Sequence, residues 1–321
     1  MRRREFVAGL MLAVMPTRTD AQQRLKVRTI GHLLVGTPTP PWAQLWDELR
    51  RLGYVEGHNL IVERRYPQTR EQLAGAAADL LRQEVEIIIT GGTPAALAAK
   101  QATATVPIIF SLGGNPVQRG LVASDEQPGG NMTGFVEAIV PDKKLEILRN
   151  AVPSTVRVAC PCRTEIHSRI AAAAQTLGIE LQDLQTLGLQ HLDMQQPEHF
   201  ARFVETARAA GADGVLMPNL PGYGRFLPLV GRLATENGIP AVGFGRAFVE
   251  AGGLLSFGPK EGEAQIAVAS LVQKILEGAN PGNIPVVRQR ILALALNLNT
   301  AKALGLTIPP TLLARADEVI E

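Results

Sequence analysis

Length, composition and charge set the first limits on what this chain can be. It has 321 residues, of which 46% are hydrophobic and 19% are charged, and its formal net charge is +2. Such a chain is long enough for two lobes with a sizeable core, whereas so small a net charge argues against a nucleic-acid-binding protein.

The N-terminal segment has the pattern of an export signal. Arginines at positions 2–4 precede an uncharged, mostly apolar stretch at 7–15, which is too short to span a bilayer. Arg3-Arg4-Glu5-Phe6 also fits a twin-arginine pattern. We predict that residues 1–23 form an export signal, cleaved near Ala21, with no lipid anchor because no cysteine lies there. The mature protein is then expected to be free in the periplasm; the alternative is a basic N-terminal tail.

The first half of the chain alternates between predicted strands and helices. Short apolar runs rich in β-branched residues predict strands that are buried on both faces, and amphipathic or alanine-rich segments between them predict helices. The predicted strands are 27–35, 59–66, 85–89 and 106–112, and the predicted helices are 41–52, 70–83 and the alanine-rich segment after Pro94. This order predicts a doubly wound parallel sheet.

Two glycine-rich turns follow the third and fourth predicted strands. In Gly91-Gly92-Thr93-Pro94 and Gly113-Gly114-Asn115-Pro116, Thr93 and Asn115 are predicted helix N-caps with a proline at the first helical position. The glycines allow a sharp turn that leaves N–H groups open to a ligand. Since a helix N-terminus carries unpaired donors and partial positive charge, each turn is predicted to hold a carboxylate or similar anion. The alternative is that each turn is only a connection from strand to helix.

A second series of elements follows a turn-rich crossing at 120–134. Its plan is similar, so the predicted fold class is α/β with two doubly wound parallel-sheet lobes. The predicted strands are 156–159, 180–184, 214–217, 241–244, 252–257 and 291–296, and the predicted helices are 143–150, 166–177, 197–210, 225–237, 263–278 and 300–304.

Charged side chains near the predicted strand ends suit a small zwitterionic or acidic ligand. Arg163, Arg225 and Arg246 offer guanidinium groups for a carboxylate, the alternative for each being a solvated surface charge. Glu137 offers a carboxylate for a ligand amine, or serves as a charge at a hinge.

Aromatic side chains are few, at 4% of the chain, which argues against a full aromatic cage. Trp42, Tyr223 and Phe244 are the candidates for one or two aromatic faces in the site. Trp46, on the same predicted helix as Trp42, is expected to lie in the core.

The sequence contains no recognisable catalytic motif. There is no nucleophile elbow, no phosphate-binding loop ending in Gly-Lys-Ser/Thr, no dinucleotide-binding glycine motif after the first strand and no two-histidine helix motif. Cys160 and Cys162, with His167 nearby, are interpreted as small core residues rather than a metal site. We expect no cofactor, no metal and no catalysis; the alternative is an exported α/β enzyme acting on a phosphorylated or sugar-like small molecule. The effector domain of a transcription regulator is disfavoured, because only the signal-like segment precedes residue 27.

Several stretches spread over the whole chain resemble one family. These are the Arg-Arg-x-Phe start, 52–59 (LGYVEGHN), 90–100 (TGGTPAALAAK), 114–117 (GNPV), 121–124 (LVAS), 128–134 (PGGNMTG), 248–254 (FVEAGGL), 299–306 (NTAKALGL) and 314–317 (ARAD). The chain resembles the substrate-binding proteins of ABC importers in the tryptophan/tyrosine-type group, which have a type I periplasmic binding fold. Three sites depart from the family pattern: Asn115 stands where Asp is usual, residues 160–163 replace an Asn-Pro-rich loop, and glycines loosen the loop 219–225, where aromatic or polar residues are usual.

The resemblance implies a hinge and a ligand cleft between the lobes. It places the first lobe at 24–138 plus about 254–285, and the second at 139–253 plus about 286–321. It implies ligand contacts from Gly36, Thr37, Gly92, Thr93, Pro94, Gly114, Asn115 and Pro116 in the first lobe, and from loops 162–165 and 219–223, with Asn219 and Tyr223, in the second.

The implied partners are a small ligand, an inner-membrane permease and a separate ATPase, with no nucleic acid and no membrane anchor. An aromatic or branched amino acid is the first ligand expected, followed by an aromatic carboxylate or other small organic acid. The protein is expected to be a monomer.

Overall fold

The computed structural model describes residues 27–38, 41–162, 165–194, 196–220 and 223–321. The predicted export signal lies outside these ranges. No helix in the described part of the chain is both long and apolar enough to cross a membrane.

The first lobe is built on a parallel sheet with strand order β11-β5-β4-β3-β1-β2, numbered along the chain. Its strands are β1 (Arg28–Leu34), β2 (Leu60–Arg65), β3 (Ile87–Gly91), β4 (Ile108–Gly113), β5 (Met132–Glu137) and β11 (Val287–Arg288). The helices that cover it are α1 (Pro41–Arg51), α2 (Leu73–Arg82), α3 (Thr93–Ala102) and α9 (Glu263–Leu276).

The isoleucines of β3 show how this sheet is buried. Ile88 packs in a cluster with α2 and α3, and Ile89 packs in a cluster with α1 and α9. Both side chains are fully buried. A strand that is apolar at successive positions therefore has helices on both faces, as its sequence predicted.

The second lobe is built on a sheet with strand order β13-β12-β10-β9-β8-β6-β7, in which β10 and β12 are antiparallel and the other pairs are parallel. Its strands are β6 (Arg157–Ala159), β7 (Glu180–Gln182), β8 (Gly214–Leu216), β9 (Ala241–Gly243), β10 (Leu255–Pro259), β12 (Leu292–Asn297) and β13 (Glu318–Ile320). Its helices are α4 (Pro141–Ala151), α5 (Glu165–Leu177), α6 (Pro197–Ala209), α7 (Leu227–Glu236), α8 (Arg246–Glu250), α10 (Leu298–Ala303) and α11 (Pro310–Leu313).

The chain passes between the two sheets at 138–140, 260–262 and 289–291. The last two passages are joined, because the N–H of Lys260 donates to the carbonyl of Ile291 over 3.0 Å. Glu263, at the start of α9, accepts hydrogen bonds from the backbone N–H groups of Arg290 at 3.0 Å and Ile291 at 3.1 Å.

The lobe boundaries differ from those expected in the C-terminal half. Leu255–Pro259 pairs with β9 and β12, so it belongs to the second sheet, although about 254–285 was assigned to the first lobe. Val287–Arg288 pairs with β5, so it belongs to the first sheet, although about 286–321 was assigned to the second lobe. Apolar strands of either sheet look alike, so their pattern does not reveal which sheet a strand joins.

Two differences concern the segment after β4. The predicted helix after Pro116 is a turn at 116–120, and the predicted turn-rich crossing at 120–134 runs into strand β5. Gly134 makes this strand possible, because a Cβ added there would lie 2.2 Å from the carbonyl oxygen of Phe110 on β4. The glycine that suggested a turn instead permits close pairing of two strands.

Candidate functional site

The strand order of each sheet reverses next to loops that contain predicted ligand residues. The reversal lies between β1 and β3 in the first sheet and between β6 and β8 in the second. In open parallel sheets the loops at the carboxyl ends of such strands diverge and form a crevice. The crevice of the first lobe is lined by 35–38 and 91–93, and that of the second lobe by 160–162 and 217–219. Gly36, Thr37, Gly92, Thr93 and Asn219 therefore lie at these positions.

The turn after β3 begins helix α3 with main-chain donors at its end. Gly92, with φ +81°, is the N-cap, so the prediction that Thr93 caps the helix is wrong. The N–H of Gly92 donates to the carbonyl of Ser111 over 2.8 Å. Pro94 has no N–H, and among the described residues the N–H groups of Thr93 and Ala95 have no acceptor. These two donors, with the Thr93 hydroxyl, face the end of the helix where an anion is favoured.

Trp42 lies directly over this turn. A Cβ added to Gly91 would be 3.0 Å from Cζ2 of Trp42, so the absence of a side chain lets the indole pack on the end of β3. The indole is half-buried. It belongs to an aromatic group of His32, Trp42, Trp46 and Tyr66, which we call the His32 cluster.

His32 is the centre of the His32 cluster. Its ring centroid lies 4.6 Å from that of Trp42 and 5.3 Å from those of Trp46 and Tyr66, and its Nδ1 is 2.8 Å from the Tyr66 hydroxyl. Burial, followed by the charge of Arg64, lowers the pKa of His32 to about 3. The imidazole is therefore neutral at physiological pH, and it fixes the indole of Trp42 without adding charge to the crevice.

The second glycine turn uses its polar groups internally. The Asn115 side chain accepts hydrogen bonds from the N–H groups of Val117 at 2.9 Å and Gln118 at 3.2 Å. Asn115 thus caps a turn, and the prediction that it caps a helix is wrong. Gly114, with φ +97°, precedes it, and Pro116 is buried. The open N–H groups expected here are occupied by the asparagine.

Glu137 ends β5, opposite Gly113 of β4, at the same edge of the first sheet. Its side chain is half-buried, and burial raises the pKa of its carboxyl group. Within the described residues it has no hydrogen bond or ion pair. The carboxylate that the sequence offered to a ligand amine is therefore placed at the crevice edge and is not committed elsewhere.

Lys144, on α4, is a charged residue that the sequence analysis did not select. It is only 1% exposed, and its Nζ donates to the carbonyl of Met217 over 3.1 Å and lies 4.6 Å from the ring centroid of Phe244. Burial, partly offset by Cys160, lowers the pKa of the amine to about 7. Met217, Phe244 and Cys160 follow β8, β9 and β6 respectively, so the amine lies at the crevice edge of the second lobe.

A sequence signal for Lys144 does exist. The buried residues of α4 include Pro141, Lys144, Leu145, Leu148 and Ala151, which follow helical spacing on one face. Lysine on such an apolar face is unusual, because lysine is rarely fully buried unless it is paired.

The other residues predicted for the second lobe have different roles. Tyr223 is buried in the core, where its hydroxyl donates to the carbonyl of Pro161 over 3.0 Å and its ring packs edge-on against Phe200. Phe244 is half-buried and covers Lys144, so it retains a place at the edge. Asn219 is half-buried after β8.

Of the three arginines proposed for a carboxylate, two lie within the described residues, and each contacts groups of its own lobe. Arg246 is exposed and forms ion pairs with Glu250 and Glu318, both at 2.6 Å. The guanidinium of Arg225 lies over the ring of Phe226 at 4.6 Å. Arg163 lies outside the described residues.

Both cysteines are buried in the core of the second lobe, as small core residues would be. Burial raises the pKa of the Cys160 thiol, so it remains protonated. No group of three or more His, Cys, Asp or Glu in the described part of the chain is arranged to hold a metal ion.

Known proteins share this architecture. A conserved domain protein from Vibrio cholerae has a TM-score of 0.79 at 23% identity, covering 92% of this chain and 100% of that one. The ABC domain in complex with L-Trp from Streptococcus pneumoniae has a TM-score of 0.78 at 21% identity, with the same coverage. The expected two-lobed periplasmic-binding fold is thereby confirmed.

Sequence comparison agrees with the fold. A tyrosine-binding protein of Clostridioides difficile (strain R20291) is 26% identical over 261 residues, which are 79% of this chain and 73% of that protein. The family model for ABC transporter substrate binding proteins matches residues 44–320. Because this match covers most of the chain, and because the resemblance read from the sequence agrees with it, the chain belongs to the ABC transporter substrate-binding protein family.

Proposed function

We propose that this protein is the extracytoplasmic binding component of an ABC importer for an amino acid, with an aromatic amino acid preferred. The family is one of solute-binding proteins rather than of enzymes. Its relatives include a tyrosine-binding protein and a domain in complex with L-Trp. In this proposal the protein is exported, acts as a monomer in the periplasm and delivers its ligand to a permease powered by a separate ATPase.

The observation that carries the proposal is the end of α3. The N–H groups of Thr93 and Ala95 and the Thr93 hydroxyl are donors without acceptors in the described part of the chain. They lie beside the half-buried indole of Trp42, which packs on Gly91. Hydrogen-bond donors next to an aromatic face suit a ligand with a carboxylate and a flat apolar group.

The two-crevice arrangement supports a proposal of ligand binding by lobe closure. A ligand bound at the first lobe gains the contacts of the second lobe only when the lobes close. Its differential affinity for the closed form then shifts the hinge equilibrium. The passages at 138–140, 260–262 and 289–291 are the segments about which this motion takes place.

The test is a thermal-shift and calorimetric screen of residues 22–321 against the twenty amino acids, aromatic carboxylates, sugars and nucleotides. A ligand that binds only the native state raises the unfolding midpoint. We expect a shift with L-tyrosine or L-tryptophan, recovered unchanged. Shifts with phosphorylated compounds alone, or turnover of the bound compound, would contradict the proposal and favour the enzyme.

The variant Thr93→Val tests the donor group at α3. It removes one hydroxyl without changing the shape of the side chain, so affinity for L-tyrosine should fall about fivefold, for a loss of ~1 kcal/mol. Thr176→Val is the matched control, because Thr176 lies in the last turn of α5, at the opposite edge of the second sheet. Equal affinities for both variants and the wild type would remove Thr93 from the site.

A further inference from the structure

Two charged side chains of opposite sign flank the first passage between the lobes; Lys144 is buried and Glu137 is half-buried. Glu137 is the last residue of β5 in the first lobe, and Lys144 lies in the second turn of α4 in the second lobe. Neither has an ion-pair partner in the described part of the chain, and the two do not pair with each other. The carboxylate of Glu137 has no hydrogen-bond donor there, and the amine of Lys144 has one acceptor, the carbonyl of Met217.

Charged groups of this kind lower the stability of the folded protein unless a counter-charge or hydrogen bonds compensate them. Burial of a charge without a counter-charge is unfavourable, and an ammonium group has three N–H bonds to satisfy. At Lys144 two of these remain without an acceptor. The altered pKa values of both groups have burial as their first cause, as expected for charges that lack a partner.

Both groups lie next to the loops that line the crevices, with the amine of Lys144 buried beneath Phe244. The amine of Lys144 is surrounded by residues that directly follow β6, β8 and β9, at the crevice edge of the second lobe. Glu137 lies at the crevice edge of the first lobe, two strands from the end of β3. Two strand spacings are about 10 Å. A glutamate side chain and an amino acid together bridge that distance to the donors of α3.

We propose that Glu137 and Lys144 recognise the two charged groups of a zwitterionic ligand. The Glu137 carboxylate binds the ligand's ammonium group, and the Lys144 amine binds the ligand's carboxylate. This deepens the proposed function and rests on it. The ligand carboxylate is then held by α3 of the first lobe and Lys144 of the second, so closure of the lobes completes its binding. A free α-amino acid satisfies both groups, whereas an amine, a simple carboxylic acid or a sugar leaves at least one of the two charges without a counter-charge.

The first arm of the test uses the wild type and three ligands. Affinities for L-tyrosine, tyramine and 3-(4-hydroxyphenyl)propanoate are measured by calorimetry. The last two lack the carboxylate and the ammonium group respectively, and each should bind at least about tenfold more weakly than L-tyrosine. Equal binding of either compound and L-tyrosine would overturn the inference.

The second arm uses two substitutions that remove charge at nearly constant shape. Lys144→Met should weaken binding of L-tyrosine and the propanoate about ten- to hundredfold and leave tyramine unchanged. Glu137→Gln should weaken L-tyrosine and tyramine and leave the propanoate unchanged. A purely structural role would weaken all three ligands alike. The matched controls are Lys143→Met and Glu126→Gln, which alter exposed residues and should change none of the affinities.

The outcomes separate the inference from the proposed function. If the wild type binds L-tyrosine and neither substitution changes that affinity, only the proposed role of Glu137 and Lys144 is overturned. Failure of the wild type to bind any of the twenty amino acids overturns both the pair and the ligand class. Loss of affinity in the ligand-specific pattern above supports both.

Discussion

The crevice edges of the two lobes differ in how far their polar groups are hydrogen-bonded within the lobe. At the first edge several polar groups are hydrogen-bonded within the lobe: Nδ1 of His32 contacts the Tyr66 hydroxyl, the N–H of Gly92 donates to Ser111, and Asn115 accepts from its own turn. Nε2 of His32 has no hydrogen-bond partner among the described residues. At the second edge the buried amine of Lys144 has a single acceptor. The first lobe therefore offers a rigid aromatic surface with main-chain donors and the carboxylate of Glu137, whereas the second lobe offers the buried amine of Lys144.

The largest expected effect on stability comes from a substitution in the His32 cluster, at the crevice edge of the first lobe. His32→Ala removes a fully buried ring from among Trp42, Trp46 and Tyr66 and leaves a cavity. We expect the free energy of unfolding to fall by about 3 kcal/mol or more, measured by urea denaturation. His58→Ala, at an exposed position, is the control and should change little. A loss in His32→Ala no larger than in this control would show that the His32 cluster does not hold the edge.

At the crevice edge of the second lobe, by contrast, a substitution of Lys144 is expected to raise the free energy of unfolding. The pKa of Lys144 falls from 10.5 to about 7 on folding. The unfolded chain therefore binds more protons than the folded chain between these values, and the free energy of unfolding rises with pH across this window. At pH 6 the buried charge is fully unfavourable, so Lys144→Met should stabilise the ligand-free protein by about 1–3 kcal/mol.

The stabilisation by Lys144→Met should become smaller as the pH approaches 10, because the amine of the folded wild type is then neutral. Chemical denaturation at pH 6 and pH 10 measures both values. Lys143→Met, which removes an exposed lysine paired with Glu146, should show no such difference between the two pH values. A Lys144→Met variant that is less stable than the wild type at pH 6 would mean that the amine is a structural link to Met217.

The smallest effect is expected away from both edges. Arg246 is paired with Glu250 and Glu318 on the exposed surface. Exposed ion pairs contribute little, so Arg246→Gln should leave both the unfolding midpoint and the affinity for L-tyrosine within experimental error. A clear loss of affinity would return this arginine to the site and weaken the case for Lys144 as the cation of the second lobe.

The sequence predicted elements well where the local pattern decides them. Strands such as Ile87–Gly91 and helices such as Glu263–Leu276 were predicted within a few residues, because buried runs and amphipathic spacing are local properties. Strand β5 was missed because Gly134 suggested a turn. A glycine is needed there because the strand packs closely against Phe110, a contact that the local sequence does not reveal. The placement of β10 depends on pairing with distant strands.

The candidate site was predicted less completely for the same reason. The placement of Gly92, Thr93 and Trp42 beside the first crevice was predicted from turn chemistry and helical spacing, which are local signals; their contact with a ligand stays a prediction. The partners of Arg246 could not be predicted, because an arginine near a strand end does not reveal its partner: Arg246 pairs with carboxylates on α8 and β13. Lys144 was visible as a lysine on an apolar helix face, but its position beneath Phe244 depends on the packing of α4 against three strands.

The central claim, that the ligand lies against the rigid edge of the first lobe, is tested most directly by tryptophan fluorescence. The chain has two tryptophans, both on α1, and both contact His32. In the variant Trp46→Phe only Trp42 emits, and in Trp42→Phe only Trp46 emits. On titration with L-tyrosine, excited at a wavelength that tyrosine does not absorb, the account predicts a saturable change in Trp42 emission and little change in Trp46 emission. A saturable change confined to Trp46, or binding by calorimetry that leaves Trp42 emission unaltered, would contradict it.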